Sequence, residues 1–442
     1  MAKARFTAPK GMRDIMPDDL GVFRHVETVF RETCRLFAFR EIRTPHLEST
    51  DLFCRTVGET SDIVEKEMYS LETRGGDRLS LRPENTAGVV RAYLEAGLHK
   101  RAPLQKFYYY GEQFRHESAQ KKRYREFTQA GVELIGSEHP EADVEVISLA
   151  VEFFRKLGLG DVRVELSTFG CPECRPAFRE ALLEYFKGHE EKLCRDCKRR
   201  LERNVFRLLD CKEESCRALA AEAPTIDEFL DDECRAHFRR VVAMLDDLGI
   251  AYSRNTHLVR GLDYYTRTIF EIFPAGGEGR QDALGAGGRY DGLAELLGGK
   301  PVPAVGFALG ADRIVIALAS MKPRAAAEDV AVYCAAFFLA GEQPGECTEG
   351  RRQAAISAIR LRRAGVACHY TDVLKRPGKQ AMDANRRGAK LACLFGGEEL
   401  TRSAVKIKDM ATGNEREVQL AVLVAEVKAE LGRVMKAEET DP

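Results

Sequence analysis

The sequence predicts an α+β protein: a mainly antiparallel sheet flanked by helices, a helical insertion interrupting it, and a separate α/β domain beyond. Three observations carry this. Short apolar, aromatic and β-branched segments recur through the first 170 residues with few crossover helices between them. From 171 to 248 the pattern changes to charged helical periodicity. Beyond residue 328 strand and helix alternate. At 442 residues the chain is long enough for two or three cores. The expected division is 1–325, interrupted at 171–248, then 328–434 and a flexible tail at 435–442.

The elements follow in order. Residues 18–39 place Val22, Phe23, Val26, Val29, Phe30, Cys34 and Phe37 at helical spacing. A short strand signal at Glu41-Ile42-Arg43 stops at Thr44-Pro45, because proline cannot donate to a ladder. Segments 79–82, 106–110, 129–135 and 162–167 read as strands of one sheet, which resumes at 269–273 after the insertion. A Lys, Pro and Ala stretch at 322–327 separates off the last part. There, strands at 330–334, 366–370 and 391–395 alternate with helices at 352–363, 379–387 and 420–431.

Charge gives little direction: 68 Lys plus Arg against 69 Asp plus Glu. Any nucleic-acid contact must therefore come from local basic clusters. No apolar run approaches the roughly 20 residues that span a bilayer. The first ten residues carry charges with no apolar stretch after them, so neither membrane insertion nor secretion is expected, and the cytoplasm is the default compartment. Thirteen cysteines are an odd number in a large chain, which argues against a disulfide framework. Seven of them lie between Cys171 and Cys234.

Four segments carry chemistry. Leu81-Arg82-Pro83-Glu84-Asn85-Thr86 puts a carboxylate and a hydroxyl at a strand end, alone more often a helix cap than a site. Phe114-Arg115-His116-Glu117 and Phe127-Thr128-Gln129-Ala130-Gly131-Val132-Glu133 flank a loop with Lys121, Lys122, Arg123 and Arg125. This reads as a β-ribbon whose guanidinium forks suit phosphate and whose Phe127 offers a flat face to a base; a solvated hairpin is the alternative. Arg260-Gly261-Leu262-Asp263-Tyr264-Tyr265 sets a cation beside two phenols, or is an ordinary sheet edge. Gly285-Ala286-Gly287-Gly288-Arg289-Tyr290-Asp291-Gly292 reads as a glycine-rich loop, paired with an apolar strand and helix that bury all but Arg313. Neither a Gly-x-x-x-x-Gly-Lys loop nor a dinucleotide fingerprint occurs.

In this order the segments resemble the histidyl-tRNA synthetase family across almost the whole chain. Pro9-Lys10-Gly11-Met12-Arg13-Asp14-Ile15-Met16-Pro17 is similar to its start. The helix ending in Thr44-Pro45 resembles class II motif 1, the 114–133 hairpin motif 2, and Gly306 to Arg313 motif 3. The stretches around Arg260 and Tyr290 resemble the signatures particular to this family. The resemblance implies a class II synthetase core, a homodimer built on motif 1, and a C-terminal anticodon-binding domain. It implies ATP, Mg²⁺, L-histidine and tRNA(His) as substrates and partners.

Carried over residue by residue, the resemblance makes Glu84, Thr86 and Gln129, with Asn85 between, holders of the substrate's α-amino group. Glu133, Tyr264, Tyr265 and Tyr290 line the imidazole pocket. Arg115, Glu117, Arg123, Phe127 and Arg313 belong to the ATP site. Arg260 and Arg115 are the catalytic cations and also touch histidine. Joining a carboxylate to an α-phosphorus brings two anions together, so guanidinium groups and Mg²⁺ should dominate catalysis. Bonding both ring nitrogens lets such a site discriminate by roughly 10⁴, so no editing domain is expected. Asn85 stands where many members have glycine, and Asp312 where Glu commonly precedes the motif 3 arginine.

Two questions stay open at the level of sequence. Cys171-Pro172-Glu173-Cys174 and Cys194-Arg195-Asp196-Cys197 have the spacing of zinc knuckles, suggesting one structural ion on those four thiolates, with free buried thiols as the alternative. A histidine-sensing paralogue, of the ATP phosphoribosyltransferase regulatory type, would keep the pocket. It would need neither the ATP arginines nor the C-terminal domain with Lys375, Arg376, Lys379, Gln380, Arg386 and Arg387 placed beside RNA phosphates.

Overall fold

The computed structural model describes residues 6–58, 61, 63–117, 123–160, 162–259, 264–274, 283–321, 330–339 and 348–440. The chain divides into two compact units, Met1–Ile15 with Val22–Pro323 and Met16–Gly21 with Arg324–Pro442. No helix among the described residues is long and apolar enough to cross a membrane.

The first unit's strands are β1 (Arg40–Glu41), β2 (Leu47–Ser49), β3 (Tyr69–Glu72), β4 (Arg78–Leu81), β5 (Gln105–Phe114), β6 (Glu126–Ile135), β7 (Arg163–Thr168), β8 (Tyr252–Arg254), β9 (Thr266–Phe273), β10 (Gly285–Arg289) and β11 (Ala304–Gly310). Eight form one sheet in the order β1-β5-β6-β11-β10-β9-β7-β8. Every neighbouring pair is antiparallel except the outermost two, β1 with β5 and β7 with β8. Helices Pro17–Leu36, Pro140–Lys156 and Asp232–Asp247 cover one face, where Phe30, Phe153 and Val241 pack on Val132, Leu166 and Phe270.

The two-residue alternation of a strand decides what the other face presents. On β6, Ala130, Val132 and Leu134 point into that core. Phe127, Gln129, Gly131 and Glu133 consequently share the opposite face. On β11, Val305, Phe307 and Leu309 fill the core, which leaves Gly306, Ala308 and Gly310 on the same side as Glu133.

Two expectations need correction. Segment 79–82 does not join the main sheet: β4 pairs with β2 and β3 in a separate three-stranded sheet, because Pro83 stops its ladder and β2, just after Pro45, is the nearer partner. The glycine-rich stretch is a loop only after Arg289. Gly285 to Arg289 form the central strand β10, and glycine is needed where neighbours fill the side-chain space: a Cβ at Gly287 would lie 2.3 Å from the Gly306 carbonyl oxygen. Arg289 itself is fully buried, 3.1 Å from the equally buried Asp143, which also bonds His237 at 2.5 Å.

The insertion has its own core, with Phe178, Leu182 and Phe186 of helix Arg175–Lys187 against Leu201 and Leu219. Helix Asp232–Asp247 places Phe238, Val241 and Leu245 in the sheet's core instead.

The second unit has five strands, β12 (Val332–Phe337), β13 (Cys368–Lys375), β14 (Leu391–Phe395), β15 (Ala404–Asp409) and β16 (Glu415–Gln419), in the order β13-β12-β14-β15-β16. β12 runs parallel to both neighbours, while β15 and β16 add an antiparallel edge that the alternation of strand and helix does not reveal. Val332 and Cys334 pack against helix Thr348–Arg363, and Tyr333, Ala335 and Phe337 form the opposite core with Ala384 of helix Pro377–Arg386. The last helix, Leu423–Thr440, runs through most of the stretch expected as a tail, in keeping with the strong helix formers Met435-Lys436-Ala437-Glu438-Glu439.

Candidate active site

Above β6, β10 and β11 lies a cavity of about 270 Å³ whose two ends differ in chemistry. At one end Glu133, 1% exposed, accepts a hydrogen bond from the Thr86 hydroxyl at 2.7 Å and another from the Tyr290 hydroxyl. Burial pushes the Glu133 carboxyl up to about 8, against the pull of those two donors. The room for it comes from Gly306, where a Cβ would sit 2.0 Å from a Glu133 oxygen.

Glu84 lies beside this pair and accepts from the Thr86 and Ala87 backbone N–H groups at 2.7 and 2.9 Å. It thus caps the helix Thr86–Glu95 and lines the cavity together, with the amides and helix end favouring its charge. Burial is the larger influence and raises its pKa. Tyr264 completes the wall, its ring 4.8 Å from Tyr265 and 5.6 Å from Tyr290. Burial holds the Tyr264 and Tyr290 phenols well above their ordinary range, so both remain neutral donors. Gln129 Oε1, buried in the cavity, has no partner among the described residues.

The other end is cationic, lined by the guanidinium groups of Arg115, Arg123 and Arg313. Arg115 donates to the Pro83 carbonyl at 2.9 Å and lies 5.4 Å from the centre of the Phe127 ring. Glu117 accepts from Arg123 at 2.9 Å and stands 3.9 Å from Arg115. Arg313 donates to the Ala283 carbonyl at 2.7 Å. One cavity thus joins buried carboxylates, hydroxyls and phenols, suited to an ammonium and an N–H-bearing ring, to a guanidinium cluster suited to phosphate oxygens.

Of the residues expected from sequence, Glu84, Thr86, Arg115, Glu117, Arg123, Phe127, Gln129, Glu133, Tyr264, Tyr265, Tyr290 and Arg313 all line this cavity. Asn85 does not. Its side chain points the other way and accepts from the Thr44 hydroxyl at 2.8 Å, since consecutive residues entering a helix diverge. Arg260, Lys121 and Lys122 lie outside the described residues. In the second unit Gln380 is buried, bonding the Tyr333 hydroxyl and the carbonyls of Ala336 and Val373, and Lys375 pairs with Asp383; Arg376 and Lys379 are exposed.

Asp312, Arg13 and Glu271 carry no site role in the motifs of the sequence. Asp312 accepts from the Thr128 backbone N–H at 2.8 Å and from Arg13 at 2.7 Å, and Arg13 also reaches the Tyr124 hydroxyl at 2.6 Å. Asp312 could have been suspected from its place beside Arg313. Arg13 acts across 299 positions, and no local pattern signals that.

The zinc expectation needs correction in its ligand set. Cys171 and Cys174 do not converge on Cys194 and Cys197. The thiols fall into two groups, Cys194, Cys197, Cys211 and Cys216, and Cys171, Cys174 and Cys234 with Asp231. Cys211 and Cys216, which follow the two knuckles in the sequence, complete the group of the second knuckle, so the first knuckle does not share its site.

Comparison with known proteins agrees with this geometry. The chain matches the family described as histidyl-tRNA synthetase over residues 11–314 and the anticodon-binding domain over 344–430. It is 44% identical to the histidine–tRNA ligase of Desulforudis audaxviator, over 95% of this chain and 98% of that one. It is 45% identical to that of Moorella thermoacetica, over 94% and 96%. The crystal structure of apo S. aureus histidyl-tRNA synthetase superposes with a TM-score of 0.75 at 33% identity, covering 96% of this chain and 100% of that one.

Proposed function

Because the chain belongs to the histidyl-tRNA synthetase family, we propose that it joins L-histidine to tRNA(His) in two steps at this cavity. The histidine carboxylate attacks the α-phosphorus of ATP, giving histidyl-adenylate and pyrophosphate. A terminal ribose hydroxyl of the tRNA then takes the histidyl group and AMP leaves. The observation that carries the reading is the union, in one cavity, of the Glu133–Thr86–Tyr290 cluster with the three guanidinium groups.

Each residue has a role in this account. Glu133 accepts from an imidazole N–H, and Tyr264 and Tyr290 pack about the ring. Glu84, Thr86 and the unpartnered Gln129 oxygen hold the α-ammonium. Phe127 stacks on adenine, and Arg115, Arg123 and Arg313 neutralise phosphate oxygens as negative charge builds in the transition state. Arg260 is the further cation near the reacting carboxylate. Asp312 positions the Phe127 strand through the Thr128 amide. Glu117 and Glu271 line the same cavity and are the hard oxygen donors that would hold Mg²⁺, which when bound offsets the charge on the phosphates. Zinc held by the insertion's cysteines would be structural and would take no part in the reaction.

The exposed Arg376 and Lys379 of the second unit offer cations to the phosphates of the anticodon arm. Leu47 and Leu71 of the three-stranded sheet are 41% and 43% exposed, apolar area that a second copy covers in a two-fold dimer. The compartment is the cytoplasm, where translation takes place. A histidine sensor would have no use for the guanidinium end of the cavity. Charging of a panel of tRNA transcripts with labelled histidine tests the reading: acylation confined to tRNA(His) is expected, and histidine binding without acylation of any tRNA would contradict it.

A further inference from the structure

We propose that the insertion holds two separate structural zinc ions: one on Cys194, Cys197, Cys211 and Cys216, the other on Cys171, Cys174, Cys234 and Asp231. Within each group every ligand atom lies within 4.8 Å of the others. A tetrahedron with Zn–S bonds of about 2.3 Å has sulfur–sulfur edges of about 3.8 Å. The Cys194–Cys211 separation is 3.8 Å and the Cys171–Cys174 separation 3.4 Å. Both are far longer than a disulfide bond of about 2.05 Å. Five of the eight ligands, Cys171, Cys174, Cys197, Cys216 and Cys234, are buried, Cys194 and Cys211 are half-buried and Asp231 is exposed, so most of the thiols are shielded from competing water; the ligand types are the thiolate and carboxylate that zinc accepts together.

The backbone is arranged for bound thiolates. The N–H of Cys194 points at Cys216 Sγ (3.2 Å), that of Cys197 at Cys194 Sγ (3.4 Å), and that of Asp231 at Cys174 Sγ (3.3 Å). Asp231 holds one oxygen on the Cys234 amide at 2.6 Å and turns the other to Cys171 and Cys174, at 3.0 and 3.2 Å. Such outer bonds fix ligand direction and offset the negative charge gathered at each ion. Each thiol loses its proton on ligation, so loading weakens as pH falls.

The sites are nested along the chain, and each does a different structural task. The four-cysteine site lies wholly inside the insertion and joins the starts of helices Arg195–Arg203 and Glu214–Ala221. The mixed site ties the segment after β7 to the first turn of helix Asp232–Asp247, the two places where the chain crosses between insertion and sheet. Beside it, Arg175 donates to the Tyr265 carbonyl at 2.8 Å, linking this staple to the wall of the cavity.

The test is zinc content by mass spectrometry on the full-length protein, loaded with zinc under anaerobic conditions and desalted. Two zinc ions per chain are expected in the wild type, and one in each of Cys194→Ser/Cys197→Ser and Cys171→Ser/Cys174→Ser. One ion or none in the wild type, or loss of both ions from a single pair of substitutions in a folded protein, would overturn the proposal. Should a variant fail to fold, stepwise mercurial titration of the wild type decides instead: two equivalents of zinc released support two sites, and one or none refutes them. The readout is metal content, so its outcome is independent of the aminoacylation reading.

Discussion

Replacing Glu133 by Gln keeps the volume and one acceptor oxygen while removing the charge that faces the imidazole. Glu133 is 1% exposed, and its two oxygens accept from Thr86 and Tyr290; in the variant the amide oxygen keeps one of these donors, and the amide N–H faces the other hydroxyl's oxygen, whose proton must turn away. A hydrogen bond to a charged group contributes about 1.5–3 kcal/mol, and each 1.36 kcal/mol is a factor of ten. On that basis kcat/KM for histidine falls about 10- to 150-fold, with the KM for ATP unchanged. A second signature comes from pH. The carboxyl is raised from 4.5 to about 8, so the charged acceptor exists only above that value, and kcat/KM for histidine should climb towards a limb near pH 8. That limb should vanish in the variant, while the titrations of free histidine affect both enzymes alike. Stability moves the other way. A folded pKa above the unfolded one stabilises fully below about 4.5 and loses that contribution as pH rises through 8, so the variant should gain on the wild type in alkali. Pyrophosphate exchange at saturating ATP, with histidine varied from pH 6 to 9.5, measures the kinetic part. An effect under about threefold with the limb still present in the variant would refute the role of Glu133.

Other expectations follow from the same geometry. Arg313→Ala should lower the rate of pyrophosphate exchange by about 10²–10³, with histidine binding by calorimetry unaltered; unchanged exchange would remove it from the phosphate site. Asp312→Ala frees the Thr128 amide and Arg13, and should reduce kcat/KM for ATP at least tenfold, whereas Asp312→Glu should retain most activity; equal kinetics in both variants would count against a positioning role. Arg289→Leu leaves the fully buried Asp143 without its guanidinium partner and should cost about 3–5 kcal/mol, seen as a lowered thermal midpoint; a wild-type midpoint would show the pair to be dispensable.

Much of the site was legible because strand alternation is a local property. Phe127, Gln129 and Glu133 stand two and four residues apart, so a single strand must present them together. Arg313 follows a strand whose alternate glycines face the same cavity. What escaped the reading was non-local or hidden by a misread element. Asp312 gathers Arg13 and Thr128 across hundreds of positions. Gly285 to Arg289 resemble a loop in composition, yet form a strand because Phe270, Gly306 and Leu309 leave no space for side chains there. Adjacency groups Asn85 with Glu84 and Thr86, although the turn into the helix sends it to Thr44. The insertion's thiols stand in pairs along the sequence, while the fold assorts them by which segments meet.

Histidine-dependent exchange of pyrophosphate into ATP, run with each of the twenty amino acids and with Arg115→Ala beside the wild type, addresses the central claim most directly. Exchange with histidine alone, lost in the variant, is the predicted result. Histidine binding without exchange in the presence of Mg²⁺ and ATP would contradict adenylate formation and leave a histidine sensor as the account of the cavity.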